Sequence, residues 1–509
     1  MQRGIMIGLV GATMVVTGTL LTTTALAQSV ADNYTPVTED MLVEPPAEDW
    51  PMWRRTYGHW GHSPLDQINT QNVDSLRLAW AWTMGDGLQE TTPLVHDGMM
   101  FLVQACDLVE ALDLRDGSRI WEYRRDRVEH AATLACANRN GVLYGDNLFI
   151  ATHDAHLVAL NARTGDVEWD VAVGDWTIGQ HYSGGPMIIK NRVVAGMSGC
   201  YFLNTRCWVS AHNVDTGAEE WRTYTIPAQG EYGYESWGDI PDEDRRGGSA
   251  WNSPSYDPEL NLLYTGVGVP IPWASVQRGT GDGDVLYTNS TLALNADTGE
   301  IVWYYQHLND HWDLAHPFER LLVDTAVTPD PEAVSWINPR LQRGETRRVV
   351  TGIPGKTGIV YTLDRETGEF LWATPTVTQN VISGIDGASG AVTENAEVVF
   401  GAVGETVFAC PTWNGGKDWE AGAYSPLTNT MYMPLRNTCA RMMAATTFPE
   451  DTPAEPNESR SEAYAIAYRH QLAPGTDYAG TVRAISAETG ETTWLHEQRA
   501  ATMSLPVSY

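Results

Sequence analysis

A short motif recurs along the chain and restricts its fold more than any other feature. In each copy, a Thr-Gly or Asp-Gly turn is followed by a tryptophan four residues after the glycine. The glycine provides the positive φ of a tight hairpin, and the returning strand carries the indole towards a neighbouring sheet. The copies are Asp116-Gly117 with Trp121, Thr164-Gly165 with Trp169, Thr216-Gly217 with Trp221, Thr298-Gly299 with Trp303, Thr367-Gly368 with Trp372 and Thr489-Gly490 with Trp494. Repeats of about 50 residues with four strands each predict the blades of a β-propeller.

Composition agrees with an all-β chain. Trp (20), Tyr (21) and Gly (47) are abundant. Short β-branched or aromatic runs at 142–151, 192–197 and 262–267 are bounded by Gly, Asn or Asp, which is typical of strands. The first three motifs are evenly spaced, whereas the wider later gaps predict insertions and one blade whose turn has diverged. A parallel β-helix, the alternative repeat fold, requires a shorter period.

The C-terminal end of the sequence is unusual for a propeller. Residues 505–509 follow the last motif closely and resemble the first strand of a further blade. A propeller closes by pairing its terminal strands, because an open edge exposes unpaired backbone groups. We therefore expect either a ring that is incomplete at its C-terminus or a ring with fewer blades.

The N-terminus has the pattern of a signal peptide. Arg3 precedes an apolar run at 5–21, and Ala-Leu-Ala at 25–27 provides small residues before a cleavage point at Gln28. The alternative, a membrane anchor, needs a longer span that is less interrupted by Gly and Thr, and no later segment is apolar enough to cross a bilayer. The pattern predicts export to the periplasm and three regions: a signal peptide at 1–27, an N-terminal extension at 28–49 and a propeller domain at 50–509.

The formal net charge of −32 limits the partners of this chain. So acidic a surface repels nucleic acid and anionic membranes. It favours encounter with a basic protein. Solubility in a salty habitat is an equally simple explanation of the charge.

Cysteine usage agrees with export. An even number of cysteines in an oxidising compartment indicates disulfides. None belongs to a Cys-x-x-Cys-His motif, so this sequence contains no c-type haem attachment site, and no zinc pattern occurs. The six are Cys106, Cys136, Cys200, Cys207, Cys410 and Cys439.

Several segments within the repeats are more specific than the repeats themselves. They are Trp-Pro-Met-Trp at 50–53, Gln-Glu-Thr-Thr-Pro at 89–93, Gly-Gly-Ser-Ala-Trp at 247–251, Tyr-Asp-Pro-Glu-Leu at 256–260, Gly-Lys-Thr-Gly at 355–358 and Gly-Gly-Lys-Asp-Trp at 415–419. Together they resemble the alcohol dehydrogenases that depend on pyrroloquinoline quinone (PQQ), a family that includes methanol and ethanol dehydrogenases. The resemblance runs from about residue 50 to the end. It implies an eight-bladed β-propeller that lacks its last blade through C-terminal truncation.

The resemblance implies that PQQ, a flat tricarboxylate, binds on the propeller axis. Asp313, which ends the Asp-His-Trp-Asp segment at 310–313, matches the catalytic aspartate and would be both general base and metal ligand. Trp251 would form the planar floor beneath the quinone, and Lys356 would hydrogen-bond the quinone oxygens. Apart from the resemblance, each has a plain structural explanation: a turn-capping Asp, an inter-blade Trp and a solvated hairpin Lys.

The resemblance also implies polar groups around the cofactor carboxylates. These groups are Glu90, Arg139, Ser183, Ser198, Gly199, Cys200 and Ser249. Asp418 stands where relatives often have Asn, and Trp419 retains the apolar part of that contact. A carboxylate beside an anionic cofactor needs a proton or a cation, and the neighbouring Lys417 is one candidate.

The metal ligands depart from the family pattern. Calcium is implied, because Ala315 stands where lanthanide-dependent relatives carry a second Asp. However, Tyr201 and Val269 occupy the positions of the family's Glu and Asn ligands. Calcium takes six to eight oxygen ligands, so Asp313 and the cofactor would need a further ligand such as Tyr201 or Asn204.

The resemblance bears on cysteine pairing as well. One pair matches a structural disulfide of relatives, and a second would bracket a loop beside the cofactor carboxylates. The family's adjacent Cys-Cys pair is absent, which leaves two further cysteines that could pair with each other. In that order, the expected bridges are Cys410–Cys439, Cys200–Cys207 and Cys106–Cys136, with free buried thiols as the alternative for the first two.

These inferences predict a periplasmic quinoprotein that oxidises an alcohol to an aldehyde or ketone. Asp313 would take the hydroxyl proton, hydride would pass to PQQ, and a separate c-type cytochrome would accept the electrons. One alternative is a non-catalytic propeller that scaffolds protein assembly, which would lack Asp313, Lys356 and Trp251 as a set. The other is a relative that has lost metal and cofactor, which Tyr201 and Val269 favour.

Overall fold

A computed structural model describes residues 29–126, 136–309, 311–445, 465–502 and 506–508. The predicted signal peptide at 1–27 lies outside these residues. Within them, α-helix is confined to α1 (Glu39–Val43) and α2 (Ser275–Arg278). No helix of the described residues is long and apolar enough to cross a membrane.

Antiparallel sheets follow one another along the chain, and the first three each have four strands in sequence order. Sheet I contains β1 (Leu94–His96), β2 (Met99–Val103), β3 (Leu108–Asp113) and β4 (Arg119–Arg124). Sheet II contains β5 (Val142–Tyr144), β6 (Asn147–Ala151), β7 (His156–Asn161) and β8 (Val167–Ala172). Sheet III contains β9 (Met187–Ile189), β10 (Arg192–Gly196), β11 (Trp208–Asn213) and β12 (Glu219–Tyr224).

The next two sheets carry insertions. The strands are β13 (Arg246–Gly247), β14 (Ser255–Asp257), β15 (Leu262–Gly266), β16 (Pro270–Ile271), β17 (Ser290–Asn295), β18 (Ile301–Gln306), β19 (Leu321–Ala326), β20 (Trp336–Ile337), β21 (Thr346–Gly352), β22 (Ile359–Asp364) and β23 (Phe370–Pro375). Sheet IV has the order β14-β15-β17-β18, and sheet V has the order β19-β21-β22-β23-β20. The short strands β13 and β16 pair with each other outside sheet IV.

The last part of the described chain has a longer insertion. Its strands are β24 (Ile382–Ile385), β25 (Val392–Glu394), β26 (Thr406–Ala409), β27 (Ala423–Ser425), β28 (Thr430–Arg436), β29 (Thr438–Ala444), β30 (Ala465–Leu472), β31 (Gly480–Ser486) and β32 (Thr492–Gln498). Sheet VI has the order β27-β28-β31-β32. Strands β29 and β30 leave it between its second and third strands and join β26 in a separate three-stranded sheet. The insertions that the uneven motif spacing predicts are therefore present.

The recurring tryptophans connect consecutive sheets. Trp121 on β4 lies against Gly165 in the β7–β8 turn, where an added Cβ would lie 2.6 Å from the indole. Its Nε1 donates a hydrogen bond at 2.9 Å to the carbonyl of Ala162, which belongs to the same β7–β8 turn of sheet II. In the same way, the indole Nε1 of Trp169 donates to the carbonyl of Val214, that of Trp221 to the carbonyl of Ala296, and that of Trp303 to the carbonyl of Arg365. Each indole therefore fills a gap that only glycine leaves open, and the predicted all-β propeller architecture is confirmed.

The ends of this series differ. Trp80 is not preceded by a Thr-Gly or Asp-Gly turn and therefore lies outside the motif. Its indole docks on Gly117, and its Nε1 donates to the Leu114 carbonyl at 3.0 Å. Trp494, on the last strand of sheet VI, is 47% exposed, whereas Trp121 is 7% exposed. The described residues contain six sheets of four or five strands in this series. Eight blades and the truncation stay predictions, as do the domain boundaries.

Strand order places the loops at two opposite ends. In an antiparallel meander, the 2–3 connection and the link to the next sheet lie at one end, whereas the 1–2 and 3–4 turns lie at the other. The Gly-Trp turns are 3–4 connections. The predicted site residues all belong to links between sheets or to 2–3 connections, so they share the opposite end.

Candidate functional site

Loops from all six sheets bring the predicted residues to one end of the molecule. Glu90 precedes β1, Arg139 lies between β4 and β5, and Ser183 lies between β8 and β9. Ser198, Gly199 and Cys200 lie between β10 and β11, and Ser249 and Trp251 lie in the link between β12 and β14. Asp313 lies between β18 and β19, Lys356 between β21 and β22, and Asp418 and Trp419 just before β27. The links that carry Trp251 and Asp313 flank the same sheet.

Asp313 and Lys356 form an ion pair, with 2.7 Å between Lys Nζ and Asp Oδ2. The lysine side chain is 10% exposed and the aspartate 26%, so the pair lies at an accessible edge rather than in the core. Asp313 has a φ of 71°, in the left-handed region that a non-glycine residue adopts at some cost. Asp310, the first residue of its motif, lies outside the described residues.

Trp251 presents its indole between two other side chains. The edge of Phe318 meets it at a centroid distance of 5.5 Å and an interplanar angle of 69°. The Arg139 guanidinium lies over the indole ring, 4.6 Å from its centroid. Gly184 approaches the backbone of Trp251 so closely that a Cβ there would overlap its carbonyl oxygen. The indole is partly exposed, and its expected role as the floor beneath the quinone stays a prediction.

Arg139 and Glu90 form the second charged pair of the site. Arg139 Nη2 lies 2.6 Å from Glu90 Oε2, and its Nη1 donates to the Ser183 carbonyl at 2.9 Å. Burial raises the pKa of Glu90, and the negative charges of Asp418 and Glu420 add to that rise, while Arg139 opposes it. Burial lowers the pKa of Arg139, against the effect of Glu90. The charge of Asp418 is therefore near enough to influence both members of this pair.

The serine-containing wall is fixed by backbone hydrogen bonds between two loops. Gly247 N donates to the Cys200 carbonyl at 2.9 Å, and Ala250 N donates to the Met197 carbonyl at 3.0 Å. Ser249 Oγ lies 3.6 Å from Cys207 Sγ, and Cys207 forms a disulfide with Cys200. Gly199 has a φ of 74° and no room for a Cβ beside Gly179 and His181. The two loops thus form one rigid wall.

Asp418 has a different cation from the expected one. Lys417 Nζ lies 2.7 Å from Glu319 in the core and donates to the backbone carbonyl of Asp418, not to its carboxylate. The Asp418 carboxylate lies 3.4 Å from Arg436 Nη1 and 4.0 Å from Lys356 Nζ. The suggestion of Lys417 as its partner was therefore wrong, because the lysine side chain points into the core. Trp419 is partly exposed beside Asp418.

Arg436 is the main residue that sequence reasoning missed. It comes from the end of β28, pairs with Glu420 as well as Asp418, and donates to the Asn414 carbonyl at 2.8 Å. No motif marks it, because an arginine at a strand end is usually solvated. The only signal was the unpaired negative charge that Asp418 would otherwise place near an anionic cofactor.

The residues present suit PQQ. Ser198 Oγ and Arg139 Nε are buried polar atoms without a hydrogen-bond partner among the described residues. Hydroxyl and guanidinium groups are the donors that a carboxylate accepts from. The Arg139 guanidinium lies over the Trp251 indole, and Lys356 is a further donor at the same end of the molecule. A planar polycarboxylate would satisfy both kinds of group.

No cluster of acidic side chains marks a calcium site in the described part of the chain. Among the residues described, no group of three or more His, Cys, Asp or Glu side chains could hold a metal ion. Tyr201 and Val269 pack with an apolar cluster that includes Ala315. Asn204 lines a separate cavity of about 250 Å³ with Arg206 and Arg245. Calcium, with Asp313 as its ligand, stays an untested prediction, and we derive no chemical step from a metal.

All three expected disulfides are present. They are Cys106–Cys136, Cys200–Cys207 and Cys410–Cys439, and no cysteine of the described residues is free. The last bridge joins the end of β26 to β29 and so fixes the three-stranded sheet near the loop that carries Asp418.

Comparisons with known proteins agree with this geometry. Residues 50–385 match the family of PQQ-containing glucose/ethanol/alcohol dehydrogenases, β-propeller domain. The quinohemoprotein alcohol dehydrogenase ADH-IIG of Pseudomonas putida is 33% identical over 444 residues, which is 84% of this chain and 58% of that protein. The dehydrogenase subunit of the alcohol dehydrogenase (quinone) of Komagataeibacter europaeus is 32% identical over 76% of this chain and 54% of that protein. The chain thus spans little more than half the length of these relatives.

Solved structures give the same result. The Pseudomonas putida ADHIIG structure matches with a TM-score of 0.81 at 29% identity, over 93% of this chain and 70% of that one. A europium-containing methanol dehydrogenase matches with a TM-score of 0.79 at 28% identity, over 92% of this chain and 82% of that one. The resemblance seen in the sequence is confirmed. This chain belongs to the family of PQQ-dependent glucose, ethanol and alcohol dehydrogenases with a β-propeller domain.

Proposed function

We propose that this chain is the quinoprotein part of a dehydrogenase that oxidises an alcohol to an aldehyde or ketone. The observation that carries the proposal is the Asp313–Lys356 pair at an accessible edge of the site that also holds Trp251. A scaffold propeller has no need for a base and an ammonium group at hydrogen-bonding distance beside a stacking platform.

Asp313 is the proposed general base. The neighbouring ammonium of Lys356 stabilises the carboxylate, which is the form that accepts a proton. When bound, PQQ supplies a quinone carbon that accepts hydride from the carbinol carbon. Asp313 takes the hydroxyl proton at its Oδ atoms, so the alcohol loses one hydride and one proton and leaves as a carbonyl compound.

The other residues bind and orient. Trp251 would provide the face on which the planar cofactor stacks, and Arg139, Ser183, Ser198, Ser249 and the backbone at Gly199 and Cys200 would hold its carboxylates. Lys356 would donate to the quinone oxygens. Arg436 neutralises Asp418, so that this carboxylate does not repel an anionic cofactor.

The proposal also covers the location of the enzyme in the cell and the protein that accepts its electrons. The N-terminal 27 residues support export, and we place the enzyme in the periplasm. A formal charge of −32 favours a basic c-type cytochrome as the electron acceptor. Cytochrome reduction should then slow as ionic strength rises, because salt screens attraction between exposed charges.

Reconstitution tests the proposal. The purified protein is mixed with PQQ, with calcium in one series and a chelator in another, and dye reduction is followed over primary and secondary alcohols. We expect alcohol-dependent reduction that falls by about 100-fold or more in Asp313→Ala. Quenching of tryptophan fluorescence reports cofactor binding separately.

The outcomes separate the rival functions. Absence of PQQ binding would favour the scaffold or the cofactor-free relative. Binding of PQQ with equal dye reduction by parent and Asp313→Ala would reject Asp313 as the base.

A further inference from the structure

A buried histidine lies under the loop that carries Lys356. His316 follows Asp313 by three residues and is fully buried, and a Cβ on Gly355 would overlap its imidazole ring. Thr357 Oγ1 lies 3.4 Å from His316 Nε2, on the other side of Lys356. The Lys356 loop thus rests on the His316 ring at the residues before and after the lysine.

His316 is itself held in place. Its ring stacks on His307 at 4.9 Å with an interplanar angle of 10°, and His307 lies 2.9 Å from Thr291 Oγ1. The backbone carbonyl of His316 accepts a hydrogen bond from Arg320 Nη2 at 2.8 Å. Burial and the charge of Arg320 lower the pKa of His316 to about 3, so the ring is a neutral spacer at ordinary pH.

Backbone hydrogen bonds connect this spacer to both charged groups. Lys356 N donates to the Ala315 carbonyl at 3.0 Å, which joins the lysine to the Asp313 loop. Gly416 N donates to the Lys356 carbonyl at 2.7 Å, which joins it to the Asp418 loop. The backbone of Lys356 is therefore fixed relative to both the Asp313 loop and the Asp418 loop.

We propose that His316 is a positioning residue, whose contact with Gly355 sets the separation of Lys356 from Asp313 and thereby the alignment of the proposed base and quinone donor. The inference rests on the proposed function for its kinetic consequence. Its structural consequence, the distance between Nζ and Oδ2, does not depend on that function.

A double-mutant cycle tests the contact. Gly355→Ala adds a methyl group against the ring, and His316→Ala removes the ring. The double variant removes the overlap that the first change creates. Gly165→Ala is the control for a methyl group pressed against an aromatic ring far from the site: its Cβ would lie 2.6 Å from the Trp121 indole, and its positive φ of 77° adds backbone strain there. Crystal structures, kcat and KM for an alcohol with PQQ, and thermal unfolding are measured for all four variants.

We expect Nζ and Oδ2 to leave hydrogen-bonding distance in Gly355→Ala and His316→Ala, with kcat reduced by about 10- to 100-fold. The double variant should recover part of that loss, whereas Gly165→Ala should lower only the unfolding temperature. If Gly355→Ala does not fold, the distance in His316→Ala decides alone.

The inference is overturned if the single variants keep the ion pair and a kcat within about twofold of the parent. It is also overturned if the double variant is no better than Gly355→Ala. Failure of the proposed function has a different signature, since the parent protein would then show no alcohol-dependent reduction while the distances still report on His316.

Discussion

Two lysine–carboxylate pairs of the same length have very different surroundings. Lys356 and Asp313 are 2.7 Å apart at an accessible edge of the site, and Lys417 and Glu319 are 2.7 Å apart with both side chains fully buried. Lys417 also lies 4.7 Å over the ring of Phe318, which supports Trp251 from the side. The distance between two charges thus does not distinguish the proposed reactive pair from a structural one, whereas the exposure of the two side chains does.

Neutralising the Asp313 carboxylate should have the largest effect of the changes considered, and we expect that effect on activity rather than on stability. Asp313→Asn keeps a side chain that tolerates the left-handed backbone but cannot accept the substrate proton. We expect kcat to fall by about 100- to 10,000-fold. Urea unfolding should change by no more than about 1–2 kcal/mol. Activity within tenfold of the parent would mean that the accessible pair is not the reactive one.

The same amide replacement in the core should act on stability. Glu319→Gln leaves the Lys417 ammonium buried without its carboxylate, and we expect a loss of about 3–5 kcal/mol in the free energy of unfolding. Denaturant unfolding monitored by tryptophan fluorescence measures it, with Asp313→Asn as the matched control. Equal losses of unfolding free energy in Glu319→Gln and Asp313→Asn would show that the buried and the accessible pair do not differ in their contribution to stability.

Replacing both members of the buried pair should reverse most of that loss. Lys417→Met with Glu319→Leu leaves no uncompensated charge, and such exchanges are often neutral or stabilising by about 1–4 kcal/mol. The double variant should therefore unfold at higher denaturant concentration than Glu319→Gln. A double variant less stable than Glu319→Gln would indicate that the charges themselves hold sheets V and VI together.

A buried histidine, His59, should make the stability of the fold sensitive to acid. Burial, with Arg54 and Arg320 nearby, lowers the pKa of His59 from 6.5 to about 3. Between these values the unfolded chain binds a proton that the native chain does not, so this contribution to stability is complete above pH 6.5 and declines as the pH falls.

His59→Asn removes that contribution and suits the positive φ of 59° at this position. The decline of unfolding free energy below pH 6.5 should become shallower by up to about 1.4 kcal/mol per pH unit. The exposed His496 provides the matched His→Asn control. An unchanged slope in His59→Asn would contradict the assignment.

The repeat motif predicted much of the fold, because a glycine turn and its tryptophan are local in sequence and act between adjacent sheets. Thr164-Gly165 and Trp169 could be recognised without knowing where the sheets lie. Trp80 could not, since its own turn lacks the motif. Strand insertions such as β29–β30 were indicated only by irregular spacing.

The site was predictable where one short segment carries both the residue and its context. Asp313, Trp251 and Lys356 each lie in such a segment, and the structure brings their loops to one end. The Lys417–Glu319 pair, Arg436 beside Asp418, and Gly355 on His316 join loops of different sheets. Such contacts produce no periodic pattern in the sequence. One amino-acid sequence considered alone therefore gives no signal for them.

The placement of the two kinds of loop has a consequence for protein engineering. The Gly-Trp turns that join consecutive sheets lie at the end opposite the site. Loop grafts between relatives, or libraries that vary the length of the links between sheets, can therefore remodel the candidate site without altering the Gly–Trp contacts between consecutive sheets.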